Sequence, residues 1–135
     1  MPDATLVLLV MEPEESRALI EILRSHRFQV LAAGSCGEAR QILETRPPVE
    51  VIIGGTSYRD GNWCDLLRWL VEHGHRASLV VAAGQADERL WSEVLWRGAY
   101  DLLVEPYESS EVCRVVEGAA RASSGHLGKV AAHQG

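Results

Sequence analysis

Five short apolar runs, separated by segments of helical period, limit what this chain can fold into more than any other feature. The runs fall at Leu6–Val10, Gln29–Ala32, Val49–Gly54, Leu79–Ala83 and Asp101–Val104. None alternates strictly between apolar and polar residues, as expected of parallel strands covered on both faces. The intervening segments predict amphipathic helices. Pro13 suits a first helical position, with Leu19, Ile22 and Leu23 as the buried stripe behind it. Ser35 and Glu38 have capping-box spacing ahead of Ala39, Ile42 and Leu43. Trp63, Leu66, Leu67 and Leu70 share one helical face; the same spacing recurs in Trp91, Val94, Leu95 and Gly98, and in Val112, Val115, Val116 and Ala119. Pro47-Pro48 and Gly98 stop one element before the next begins. Strand–helix units in such succession predict an α/β fold, a doubly wound parallel sheet with right-handed crossovers and helices on both faces. Ligands and chemistry in such sheets sit at the carboxyl ends of the strands.

A length of 135 residues suits one domain, with 47% apolar and 24% charged residues. That domain is expected over residues 1–121. The small, polar stretch over 122–135 reads as a tail or linker. A net charge of −6, with basic residues scattered singly, argues against nucleic acid as a partner. Cys36, Cys64 and Cys113 are odd in number and widely spaced, neither a disulfide framework nor a zinc pattern. The apolar run Leu6–Met11 is too short for a signal peptide or a membrane span. A cytoplasmic protein, with no membrane contact, is the expectation.

Three segments resemble a bacterial response-regulator receiver domain of the CheY-like superfamily. Thr5 to Pro13 matches its first strand and proline-led first helix. Pro48 to Gly55, with Leu66-Leu67-Arg68-Trp69-Leu70, matches its third strand and helix. Arg97-Gly98-Ala99-Tyr100-Asp101-Leu102-Leu103-Val104-Glu105-Pro106-Tyr107 matches its last strand and cis-proline turn. The resemblance covers roughly residues 5–121. It implies a flavodoxin-like domain with five helices and a sheet in strand order 2-1-3-4-5.

In that family an aspartate ending the third strand accepts a phosphoryl group. An acidic pair after the first strand helps hold Mg²⁺, a hydroxyl ends the fourth strand, and a lysine precedes the proline. Carried over, the acidic pair falls on Val10 and Met11, the phosphoacceptor on Gly55, the hydroxyl on Ala83 and the lysine on Glu105. An aromatic switch position falls on Leu102. Glycine offers no nucleophile, Val10 and Met11 give Mg²⁺ no hard oxygen, and Glu105 reverses the charge that would meet a phosphate. The resemblance therefore implies a degenerate pseudo-receiver in two-component phosphorelay signalling, neither phosphorylated nor an enzyme, with no cofactor and no bound metal. Glu12 reads as a first-turn helix residue favoured by the helix dipole.

Gly54-Gly55 has two readings, a sharp backbone turn or a vacated pocket lined by Val10, Met11, Gly55 and Ala83. A small-ligand-binding domain using that pocket is the alternative function. His73-Gly74-His75 reads as a helix end with Gly74 at the cap, rather than a metal clip. The resemblance further implies signalling through the face of the fourth helix, fifth strand and fifth helix, to a protein partner or to a second copy. Trp96 lies off the stripe of its helix, a candidate interface anchor bordered by Leu102, Val104 and Tyr107. Trp63 reads as core and Trp69 as partly exposed.

Overall fold

A computed structural model describes residues 5–45 and 47–124. Its parallel sheet contains β1 (Leu6–Val10), β2 (Gln29–Ala33), β3 (Val51–Gly55), β6 (Ser78–Ala83) and β7 (Asp101–Val104). A small antiparallel ribbon, β4 (Ser57–Tyr58) and β5 (Gly61–Asn62), lies between β3 and the next helix. The helices are α1 (Pro13–Ser25), α2 (Cys36–Glu44), α3 (Trp63–Glu72), α4 (Glu88–Arg97) and α5 (Ser109–Ser124). Sheet order is β2-β1-β3-β6-β7, which is 2-1-3-4-5 once the ribbon is set aside. The expected α/β fold is the one observed.

Alternation along each strand explains the two cores. Leu8, Val10, Ile52 and Val81 face α2, α3 and α4, packing with Ala39, Leu66, Leu70 and Val94. Val7, Leu9, Ile53 and Val80 face α1 and α5, packing with Leu19, Leu23, Val112 and Val116. Burial on both sides removes any reason for a polar residue in the strand interiors, hence the continuous apolar runs.

Helix ends follow local chemistry. Pro13 opens α1, and Ser35 caps α2 by accepting from the Glu38 amide at 3.2 Å. The Glu38 carboxylate bonds Gly34 N at 2.6 Å instead of closing back on Ser35, so the expected capping box is half made. A complete box forms where the sequence reading placed none, between Asn62 and Asp65 at the start of α3. Gly98 ends α4 at φ 97° and Gly74 follows α3 at φ 65°, left-handed conformations that glycine adopts freely.

Three expectations are corrected. On α4 only Val94 is buried; Trp91 and Leu95, read as core, are 41% and 60% exposed because the helix lies at the margin of the sheet. Trp69 is buried, its ring stacked on His73 at 4.3 Å and on His75 at 5.2 Å, with the Arg40 guanidinium 5.8 Å from its centre. Helix α5 runs through Ser124, three residues into the stretch read as a tail, while residues 125–135 lie outside the described residues. Among the described residues no helix is long and apolar enough to cross a membrane.

Candidate functional site

Parallel pairing brings the carboxyl ends of the central strands together. Val10 lies opposite both Ala33 and Gly54, Gly55 opposite Ala82, and Ala83 opposite Val104. Above these ends is a cavity of about 110 Å³ bordered by Met11, Gly55, Ala83 and Glu105, with Glu15, Thr56, Ser57 and Tyr107 around it. The structure thus gathers four of the five positions singled out in the sequence. Val10 is not among them: it is fully buried with Leu8 on the α2–α4 side of the sheet, while Met11 packs toward the opposite side.

The two adjacent glycines differ in kind. Neither has a positive φ, so the expected sharp turn is absent and both continue β3. At Gly55 an added Cβ would lie 3.4 Å from Met11 Cβ and 3.9 Å from the Glu15 carboxylate, an ordinary contact distance. A side chain fits there and would point at the cavity. At Gly54 an added Cβ would lie 2.5 Å from Tyr58 Oη, with Leu66 and Leu79 side-chain atoms at 3.6 Å. Gly54 is therefore a steric requirement of Tyr58, and Gly55 is a position lacking a functional group.

The charge at the cavity is acidic. Burial pushes the Tyr107 phenol up to about 12, and the Glu105 and Glu15 carboxylates add to the rise. No Lys, Arg or His is among the described residues that border it. An arriving phosphate would find two carboxylates and no cation. The Glu105–Pro106 peptide is cis, as the resemblance implied. Glu12 is the N-cap residue of α1 and makes no side-chain capping bond.

None of the three cysteines is an activated nucleophile. Cys36 is buried, and burial together with the Asp60 charge raises its thiol to about 11. Burial likewise raises Cys64 and Cys113. Thiols so shifted are protonated at neutral pH and poor nucleophiles. The His73 ring bonds the Trp69 carbonyl at 2.9 Å through Nδ1. Among the described residues no group of three or more His, Cys, Asp or Glu has metal-binding geometry.

The β4–β5 ribbon carries features that went unnoticed in the sequence. Asp60 accepts from the Cys36 and Gly37 amides at 2.9 Å each, tying the ribbon to the start of α2. Those two bonds hold its carboxyl below the usual range. Tyr58 reaches inward from the same ribbon, and its buried hydroxyl has no hydrogen-bond partner. The signal was Asp60-Gly61, a turn dipeptide between short extended pieces. Glu15 was also missed; its place in the first turn of α1 sets it over the end of β1.

The proposed surface changes membership. Trp96 is 87% exposed, and Val104 and Tyr107 are partly buried. Leu102 is only 2% exposed, so it cannot border an interface: it packs with Val81 and Val94 while Leu103 faces the other core. Trp91 and Leu95 take its place, lying exposed with Trp96 on α4.

Over 112 residues the chain is 32% identical to the two-component response regulator ORR11 of Oryza sativa subsp. indica, spanning 81% of this chain and 76% of the relative. The chain belongs to the response-regulator receiver family. No family profile matches it. Among solved structures, the receiver domain shares its fold with the signal receiver domain of an HD domain-containing protein from Pseudomonas fluorescens Pf-5. That match has TM-score 0.82 and 18% identity, covering 94% of each chain. A response regulator receiver protein from Pseudomonas putida gives TM-score 0.76 and 23% identity, covering 87% of this chain and 99% of the other. The beryllofluoride-activated NtrC4 receiver domain dimer gives TM-score 0.78 and 19% identity, covering 87% and 98%.

Proposed function

We propose that this receiver domain signals without being phosphorylated, as a protein-interaction module in two-component signalling rather than as an enzyme. The observation that carries the reading is the cavity at the strand ends. Gly55 contributes no nucleophile to it, Met11 no metal ligand, and Glu15 and Glu105 bring carboxylates toward the place a phosphate would occupy. Both carboxylates are exposed, so water screens each repulsion to a fraction of the roughly 4 kcal/mol that ~4 Å and an effective dielectric of about 20 would give. Thr56 and Ser57 hydroxyls border the same space, but no Lys, Arg or His among the described residues lining it would hold a phosphoryl donor there.

The output surface is proposed to lie on α4, β7 and α5. Trp91, Leu95 and Trp96 expose large apolar area there, and Trp is the residue type most enriched among binding hot spots. The partner is a protein, or a second copy of this chain. The NtrC4 receiver domain of like fold is a dimer in its solved structure. A metabolite at the strand ends is not favoured, because about 110 Å³ falls well short of a drug-sized site of ~300–1,000 Å³.

The direct test is incubation with acetyl phosphate and Mg²⁺ followed by intact-mass measurement. The unmodified mass is expected. A stoichiometric phosphate adduct on an acidic side chain would refute the phosphorylation-independent reading. The surface is tested separately by sedimentation and partner capture with Trp96→Ala.

A further inference from the structure

A second cavity, of about 600 Å³, lies where β6 begins and just before β7, the opposite end of the sheet from Glu105. Its volume falls within the range of small-molecule sites. Leu67 and Val71 of α3, Leu79 of β6, Leu95 of α4 and Tyr100 line it. Val71 and Leu95 are 70% and 60% exposed, so two of the four large apolar side chains left in water among the described residues border this one space. Covering them removes apolar area from water.

Charge narrows what would cover them. The chain carries 19 acidic and 13 basic residues, yet no Asp or Glu is among the described residues lining the cavity. Arg76 and His75 do line it. The His75 ring is stacked on Trp69, whereas Arg76 is exposed and makes no ion pair among the described residues. A guanidinium beside an apolar cavity matches a ligand with an apolar body and a planar oxyanion at one end.

We propose that this cavity is a binding site for a small amphipathic carboxylate, its hydrocarbon body against Leu79 and Leu95 and its carboxylate on Arg76. The site is separate from the strand-end cavity but shares Leu95 with the α4 surface, so Trp96→Ala, at a residue outside the cavity lining, tests that surface without touching the site. The probes are octanoate and decanoate, with octanol as the uncharged match, titrated below micelle-forming concentrations into the full chain. Calorimetry is expected to show one saturable site that tightens roughly fourfold per added methylene. Octanol is expected to bind about tenfold more weakly than octanoate, as loss of a charge-assisted hydrogen bond requires.

Arg76→Ala should erase the preference for octanoate over octanol. Val71→Glu, at a position 70% exposed, should abolish binding of both acids, and Val71→Gln, without the added charge, should weaken it at a thermal midpoint near the parent's. Absence of saturable binding would overturn the proposal. So would affinity independent of chain length, or binding untouched by these substitutions. A protein partner released by Val71→Glu, with no carboxylate bound by the parent, reassigns the cavity to a protein contact and equally overturns it.

Discussion

Substituting Gly54 by alanine puts a methyl carbon 2.5 Å from Tyr58 Oη, closer than real contacts, with Leu66 and Leu79 in ordinary contact at 3.6 Å, so the Tyr58 ring must shift to admit it. Forcing a methyl into a filled core costs ~1–3 kcal/mol, against which alanine recovers about 0.5–1 kcal/mol of backbone entropy in a strand. The expected net loss is therefore on the order of 1–2 kcal/mol for Gly54→Ala, a shift of several degrees in the melting midpoint of a domain this size. Tyr58→Phe removes the offending oxygen, and that hydroxyl makes no hydrogen bond whose loss would count. Alone, Tyr58→Phe should leave stability at or above the parent, since a buried unpaired hydroxyl costs ~1–3 kcal/mol. In the Tyr58→Phe background, Gly54→Ala should cost little or become mildly stabilising. Urea denaturation of the parent, both single variants and the double variant gives the coupling from midpoints at constant slope. A coupling of roughly 1–2 kcal/mol is expected, and additivity to within ~0.5 kcal/mol would refute the argument that Gly54 exists to accommodate Tyr58.

Gly55→Asp fits sterically, yet by itself it should not confer phosphorylation by acetyl phosphate, because Met11 and Glu105 remain; an adduct in that variant by intact mass would contradict the charge argument. Asp60→Ala should lower the urea midpoint at pH 7. Since the folded Asp60 carboxyl is held below its unfolded value, its contribution is full above about pH 4 and disappears as pH falls through the lower folded value; the gap between variant and parent should close there. At the alkaline end, the raised Tyr107 phenol gives stability that is full below about pH 10 and is lost as pH rises toward 12, so Tyr107→Phe should flatten that decline in midpoint against pH. Trp96→Ala should leave the unfolding free energy within ~0.5 kcal/mol of the parent while weakening self-association or partner binding, measured by urea denaturation, sedimentation and titration.

Much of the fold was legible because burial on both faces writes itself into β1, β3 and β6 as unbroken apolar runs. Helix starts were legible where a side chain caps its own turn, as at Ser35. Helical period failed on α4, because a stripe reports which residues share a face and not whether anything covers that face. Trp91 and Leu95 have core spacing, but the margin of the sheet leaves them in water. Leu102 differs for the complementary reason: a position on an edge strand looks open in sequence, but β7 is covered on both faces, with Leu102 in one core and Leu103 in the other. Long-range pairings such as Asp60 to the amides of Cys36 and Gly37 have no local signature at all.

The adjacent glycines show how a site of this kind is misread when its positions are tallied alike. Gly54 and Gly55 are neighbours in one strand, yet alternation sends their missing side chains to opposite faces. One faces the α3 side, where the Tyr58 hydroxyl fills the space; the other faces the strand-end cavity, where a side chain has room. Gly54 is structural and coupled to the β4–β5 ribbon, whereas Gly55 bears on the chemistry of the cavity it shares with Met11 and Glu105. A side chain added at Gly55 therefore leaves the packing intact, and one added at Gly54 does not. The turn of the ribbon, with Asp60 bonded to the Cys36 and Gly37 amides and Tyr58 reaching inward beside it, ties the loop after β3 to the start of α2. On the reading proposed above, a Gly55 without a nucleophile and a tethered loop after β3 both favour an output surface that does not depend on phosphorylation.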